Sequence, residues 1–418
     1  MMGAGIFPAR FCHFGVAACL KLPETGPQLF AHGGTSAMTD FNLPADGVFI
    51  GRIWSPEAQG PCVVTLRDGS IVDITSKTAP TVRDICEMED PAAYVRAAGG
   101  VTVGDLASLA ANPAGDMGKP HFLAPCDLQA VKACGVTFAS SMVERVIEEK
   151  AAGDPKKAQE IRARVGDIIG GSLRNIKAGS DEAARVKAAL IAEGMWSQYL
   201  EVGIGPDAEV FTKAQVLSAV GPGAEVGLHP ISRWNNPEPE IVLAVSSSGR
   251  IVGASLGNDV NLRDVEGRSA LLLGKAKDNN ASCAIGPMIR LFDDSFTLDD
   301  VRQAELDLTV TGMDGYELKG HSSMNQISRD PADLVAQTLG RHHQYPDGLV
   351  LFLGTLFAPT QDRDTPGEGF THKIGDVVTI ASPGLGRLTN TVRLSTGCPE
   401  WTFGVASFMR NLAARNLI

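Results

Sequence analysis

Residues 235–264 read N-N-P-E-P-E-I-V-L-A-V-S-S-S-G-R-I-V-G-A-S-L-G-N-D-V-N-L-R-D, and K-A-K-D-N-N-A-S-C-A-I-G-P follows at 275–287. Residues two apart on a strand share a face, so Glu238 and Glu240 point the same way along the apolar run that ends at Val245. Ser247-Ser248-Gly249-Arg250 reads as a tight turn, and Ile251 to Leu256 answers Ile241 to Val245 as a hairpin partner does. With Ser248-Gly249 as the turn residues, Asp259 falls opposite Glu238 on the same face and Gly257 opposite Glu240. Three clustered carboxylates repel one another unless a cation sits among them. An all-oxygen, acid-rich set suits a hard divalent ion, with Mg²⁺ first and Mn²⁺ or Ca²⁺ also admissible. The plainer reading, three solvent-side acids on an ordinary hairpin, predicts exposure instead of burial.

Composition sets the outer bounds. A chain of 418 residues with 44% hydrophobic content can bury large cores. Its formal charge of −11 and the lack of a basic run argue against nucleic acid or an anionic membrane surface as partner. No apolar run reaches the length of a spanning helix. Cys12, Cys19, Cys62, Cys86, Cys126, Cys134, Cys283 and Cys398 show no C-x-x-C pair and no zinc spacing, which fits reduced thiols in a cytoplasmic protein.

Taken in order, residues 1–37 lack a sustained period and read as a disordered extension ahead of Met38. Residues 38–117 are expected to form a small α+β domain. It begins with strands at Val48–Trp54 and Cys62–Leu66, a hairpin turn at Asp68-Gly69, and a strand at Ile71–Ile74. Thr81 to Ile85 starts a helix, and Val103 to Ala110 looks like a second. Residues 118–418 form the main domain, with a helical insertion at about 140–195. In that insertion Ile161, Val165, Ile168 and Ile169 make one stripe; a helix capped by Ser180 carries Val186, Leu190 and Ile191 inside. Three motif-like features carry little. Gly253-Ala-Ser-Leu-Gly257 matches G-x-S-x-G, but both flanks read as strand where a nucleophile elbow needs strand, turn and helix. Gly267 to Lys275 lacks the glycine spacing of a P-loop. His342 and His343, adjacent, cannot both point to one ion from a strand.

The quoted segments, in order and spacing, resemble the fumarylacetoacetate hydrolase family, with its E-x-E, its N-D-x-S-x-R-D-like segment and a lysine ahead of G-P. Gly354-Thr355, Ile374 to Ile380 and Gly384 to Val392 are similar to the family's closing strands. The resemblance runs from about Phe122 to the C-terminus. It implies an α+β fold: a mixed β-roll main domain beside the small N-terminal domain. It also implies Glu238, Glu240 and Asp259 as metal ligands, Lys277 as a base or enolate partner of lowered pKa, Asn258 and Arg263 as donors orienting the carboxylates, and Thr355 on a substrate carboxylate. At Gly135 to Glu144 many relatives resemble G-x-N-Y-x-x-H-x-x-E, whose His and Glu activate water. Here Ser141 stands in the histidine position and Glu144 keeps the acid. A serine is no general base near neutral pH, so the expected catalytic set is Glu144, Lys277 and Ser141, suited to moving protons more than to making hydroxide. The resemblance therefore implies a Mg²⁺-dependent dehydratase acting on a small 2-oxo acid, a 2-keto-3-deoxy pentonate, through a metal-stabilised enolate. The alternative is a C–C bond hydrolase of acylpyruvate-type diketo acids. It further implies a homodimer or homotetramer.

Overall fold

The computed structural model describes residues 40–162, 176–192 and 194–418. The expected extension 1–37 and the Val165, Ile168 and Ile169 part of the insertion lie outside the described residues.

Two sheets dominate. In chain order the strands are β1 (Phe49–Ser55), β2 (Gly60–Arg67), β3 (Ser70–Asp73), β4 (Val101–Asp105), β5 (His121–Leu123), β6 (Ala130–Gly135), β7 (Glu209–Ala214) and β8 (Glu225–Leu228). There follow β9 (Pro239–Val245), β10 (Ile251–Asp259), β11 (Cys283–Leu291), β12 (Glu305–Thr311), β13 (Glu317–Ser323), β14 (Leu349–Phe352), β15 (Val377–Ser382) and β16 (Gly386–Leu394). The larger sheet has the order β4-β3-β2-β1-β11-β10-β9-β14-β6-β7, with β5 also on β1; the smaller runs β13-β12-β15-β16-β8. Each sheet carries one parallel pair, β14 with β6 and β16 with β8, so both are mixed.

The apolar runs of β9 and β10 are continuous because both faces are covered. Ile241, Leu243 and Val245 pack with Leu306, Leu308, Ile380 and Leu388 of the smaller sheet. On the other face Val242 meets Val131, Ile285 and Phe352. A Leu243→Ala change at this centre would cost about 2–5 kcal/mol.

The hairpin keeps the expected register at its far end by an unexpected route. Gly257 pairs with Glu240 and Asn258 with Pro239, and Asp259 N–H donates to Glu238 O at 3.1 Å. Near the turn the loop has three residues, not two: Ser246 N–H donates to Arg250 O, and Gly249 adopts φ +84°. The extra residue shifts the pairing by one, and a bulge between Ile251 and Gly253 shifts it back. The turn is tied to the N-terminal part, since Ser247 donates from N and Oγ to the Glu87 carboxylate, both at 2.7 Å.

The 38–117 and 118–418 parts share one sheet. Phe49 and Ile50 of β1 pair with Arg290 and Ile289 of β11, and Ile50, Ile85 and Val95 pack with Ala244, Val252 and Ile289. Asp68 and Gly69 make the expected two-residue turn at φ +49° and +75°. Thr81 caps the Val82–Glu87 helix in a capping box with Asp84. Two local expectations fail. Val103 lies in β4, an edge strand on β3, and the helix begins only at Leu106 because Asp105 caps it through Ser108 N–H. Ile191 is 52% exposed, because the Asp181–Ala192 helix buries only Ala183 and Leu190. Among the described residues no helix is long and apolar enough to cross a membrane.

Candidate metal and active site

Glu238 immediately precedes β9, Glu240 lies within it, and Asp259 ends β10. All three are buried, and one oxygen from each lies within 4.8 Å of the others. The exposed-hairpin reading is thereby excluded. Lys277, at the end of the Leu273–Lys277 helix, places Nζ 2.9 Å from Glu238 Oε2, 3.1 Å from Asp259 Oδ2 and 3.1 Å from Glu266 Oε1. Burial alone would lower its pKa as expected from sequence. The surrounding Asp259, Glu238 and Glu266 reverse this and hold it well above the ordinary lysine value. In this arrangement its neighbours favour the ammonium form.

Three residues that sequence reasoning passed over complete the cluster. Arg145, on the Ala139–Ala151 helix, reaches Glu238 Oε1 at 2.7 Å, Glu266 Oε2 at 2.6 Å and Glu148 Oε2 at 2.8 Å. Lys213 on β7 is fully buried and sits 2.9 Å from Asp259 Oδ1. It is the unpaired residue of a bulge in the β6–β7 ladder, a device that re-aims a side chain. Glu209, at the start of β7, lines the same cavity as the acid trio. It lies against Gly135, where an added Cβ would come within 1.9 Å of its Oε2, so a side chain there would push the carboxyl from its present place. Burial, with Glu266 adding to it, pushes the Glu209 carboxyl up to about 7.

The expected catalytic and binding residues separate. Glu144 does not line the cavity. It faces Arg162, with contacts of 2.8 and 2.5 Å, and lies 3.7 Å from Arg263. Ser141 lines the cavity but donates its hydroxyl to Thr355 O at 2.6 Å, tying helix to loop. Thr355 also lines it, its own hydroxyl donating to Phe357 O at 2.9 Å. Arg263 does not touch the trio: its Nε pairs with Glu148 Oε1 at 2.8 Å and its Nη1 donates to Pro359 O at 3.1 Å. It is linked to Glu238 by three successive ion pairs, through Glu148 and Arg145. Asn258 points to the sheet face opposite Asp259, and neither side-chain amide atom has a hydrogen-bond partner among the described residues. Ser255 of the G-x-S-x-G match is buried mid-strand and donates to Met288 O at 3.0 Å.

The donor set fits a divalent cation. Burial, then Asp259 and Glu238, drives the Glu240 carboxyl well above its usual range. For Asp259 burial works the other way from its neighbours, and Lys213 and Lys277 keep it below. Glu209, Glu238, Glu240, Asp259 and Glu266 face Arg145, Lys213 and Lys277, an excess of two negative charges when all are ionised. The cavity measures about 30 Å³, room for one or two waters.

Residues 205–393 match the family described as fumarylacetoacetate (FAA) hydrolase C-terminal. The chain is similar to a probable 2-keto-3-deoxyxylonate dehydratase of Haloferax volcanii, 32% identical over 47% of this chain. It is also similar to a 2-dehydro-3-deoxy-D-arabinonate dehydratase of Saccharolobus solfataricus, 29% identical over 44% of this chain. The matched stretches span 64% and 58% of those relatives' own lengths. A solved 2-keto-3-deoxy-D-arabinonate dehydratase, complexed with magnesium and 2,5-dioxopentanoate, shares the fold with a TM-score of 0.57 at 20% identity, over 83% of this chain and 99% of that one.

Proposed function

We propose that the protein is a divalent-metal-dependent hydro-lyase that removes water from a 2-keto-3-deoxy pentonate to give 2-oxoglutarate semialdehyde, with magnesium as the ion. One observation carries the reading: a buried carboxyl, Glu209, pushed up to about 7 beside the acid trio, in a cavity with no histidine in its lining among the described residues. Held by Glu238, Glu240 and Asp259, a divalent ion supplies Lewis-acid polarisation of the 2-keto group, which makes the C3 protons acidic. Glu209 takes a proton from C3 and, once protonated, can protonate the departing C4 hydroxyl; loss of a C5 proton from the resulting unsaturated keto acid and reprotonation at C3 then give the semialdehyde. Lys277, kept as an ammonium, offsets the negative charge that develops on the keto oxygen. Thr355 and Ser141 shape the wall without titrating. The dehydratase names of the two relatives support the same reaction, and the magnesium named in the structural neighbour's complex supports the ion.

The deciding assay offers a panel of 2-keto-3-deoxy acids and acylpyruvates with added Mg²⁺. Semialdehyde from a pentonate is expected, carrying solvent deuterium at C3 when the reaction runs in D₂O. Rapid splitting of an acylpyruvate into two acids, with the deoxy acids untouched, would replace this reading by the hydrolase. The protein is also proposed to be a homodimer or homotetramer. Exposed Trp401, Val405 and Met409, clustered near the C-terminus, offer apolar surface for a partner copy. Light scattering that finds a monomer at micromolar concentration would remove that part.

A further inference from the structure

One oxygen of each trio carboxylate is already committed to a donor that cannot easily move. Asp259 Oδ1 is paired with Lys213 Nζ at 2.9 Å. Glu240 Oε2 accepts from Gly354 N–H at 2.7 Å. Glu238 Oε1 accepts from Arg145 Nη2 at 2.7 Å.

Each donor is held in turn. Lys213 is fully buried and also donates to Lys277 O at 2.9 Å. Gly354 presents its N–H from a φ of +95°, and a side chain there would come within 2.1 Å of Thr137 Oγ1. Arg145 is clamped by Glu148 and Glu266, and Glu148 is itself locked by Arg263. What remains for an ion is Glu240 Oε1 together with Glu238 Oε2 and Asp259 Oδ2, the two oxygens that face the Lys277 ammonium at 2.9 and 3.1 Å and that an ion would take over from it.

We propose that Lys213 and Arg145 are positioning residues that select the ion. By occupying the second oxygens of Asp259 and Glu238 they keep those carboxylates one-toothed. Three single oxygens suffice for a small six-coordinate ion such as Mg²⁺ or Mn²⁺, which keeps its other positions for water or substrate. Ca²⁺ is larger and reaches seven or eight oxygens mainly through two-toothed carboxylates, which these donors block. The inference rests on the metal reading of the trio given above.

Calorimetric titration of the full chain with MgCl₂ and, separately, CaCl₂ tests it without reference to turnover. Lys213→Met keeps the buried volume but frees Asp259 Oδ1. Arg145→Lys keeps the charge but cannot hold Glu238 together with Glu148 and Glu266. Lost positive charge acts on both divalent ions alike, and general loosening weakens both, so the ratio of the two affinities is the informative quantity. In each variant the Ca²⁺/Mg²⁺ affinity ratio is expected to rise roughly tenfold over wild type. Infrared carboxylate bands with Ca²⁺ bound should shift toward the two-toothed pattern. Ratios within about twofold of wild type in both folded variants would overturn the inference. If Lys213→Met does not fold, the Arg145→Lys ratio decides. A wild-type protein that binds neither Mg²⁺ nor Mn²⁺ would instead remove the metal reading beneath it.

Discussion

Glu144 and Arg145 are neighbours on one helix but face different surroundings: Arg145 pairs with Glu238 in the cavity, and Glu144 pairs with Arg162 away from it. Successive helical residues diverge by about a quarter turn, so neighbours in a motif can meet different surroundings.

From this divergence, Glu144→Gln is expected to keep turnover within about threefold of wild type and to lose only the modest worth of a partly exposed ion pair. Arg145→Met should be far worse. It strands Glu148, Glu238 and Glu266 around an uncompensated site, at a cost of roughly 3–5 kcal/mol. Chemical denaturation with parallel kinetics separates the two; near-complete loss of turnover in Glu144→Gln would restore it to the catalytic set.

Glu209 governs a pH dependence in both rate and stability. Its carboxyl ordinarily titrates near 4.5 and is pushed up to about 7 in the folded protein. Between those values the folded state keeps a proton that the unfolded state has released. Stability from this group is therefore full below pH 4.5 and declines as the pH rises through about 7, by about 3 kcal/mol in all. Glu209→Gln should flatten that decline in denaturant titrations at successive pH values. The same variant should lower kcat by about 10²–10⁴-fold while Mg²⁺ affinity stays near wild type. In the wild type, kcat should rise through pH 7 as the base form appears.

Glu240→Gln removes one of three crowded acids. The variant should fold and, without metal, melt above wild type, because burial and like charge both oppose the Glu240 carboxylate. Its amide oxygen can still accept from Gly354 N–H. Mg²⁺ affinity should fall sharply by calorimetry, and unchanged affinity would be incompatible with the trio as the ion's site.

Metal itself should stabilise the fold. An ion present at a hundred times its dissociation constant adds about 2.7 kcal/mol to a state that alone binds it. Thermal melting after chelation, then with Mg²⁺ restored, should show a reversible rise. The Glu240→Gln protein should show little of it.

How legible the site was depends on whether its parts are local. Glu238, Glu240 and Asp259 could be placed together because a two-residue period and a turn fix strand partners, and the bulge after Ile251 cancelled the misjudged loop length. Lys277 was tied to the site through resemblance, and the neighbours that hold its charge were not foreseen because Glu266, contributed by the Arg263–Glu266 helix, had no place in the pattern. Glu209 and Phe211 do alternate on β7 and both line the cavity, so a signal existed. Nothing in sequence said which face of that strand mattered. Lys213 escaped because its bulge breaks the alternation, and Arg145 because two of its three partners, Glu238 and Glu266, lie far along the chain from its own helix.

The continuity of the larger sheet across residue 117 bears on how the gene can be cut. A shortened version starting near Phe122 would keep every residue named in the site, yet it would strip β1 from β11 and release Glu87 from the hairpin turn. Cys283–Leu291, with Ile285, Met288, Ile289 and Leu291 buried in the whole protein, would become an open, apolar sheet edge. Such an edge recruits other chains. The shortened protein is therefore expected to precipitate on expression more readily than residues 40–418, the first strands being a built-in guard against self-association of the rest of the chain.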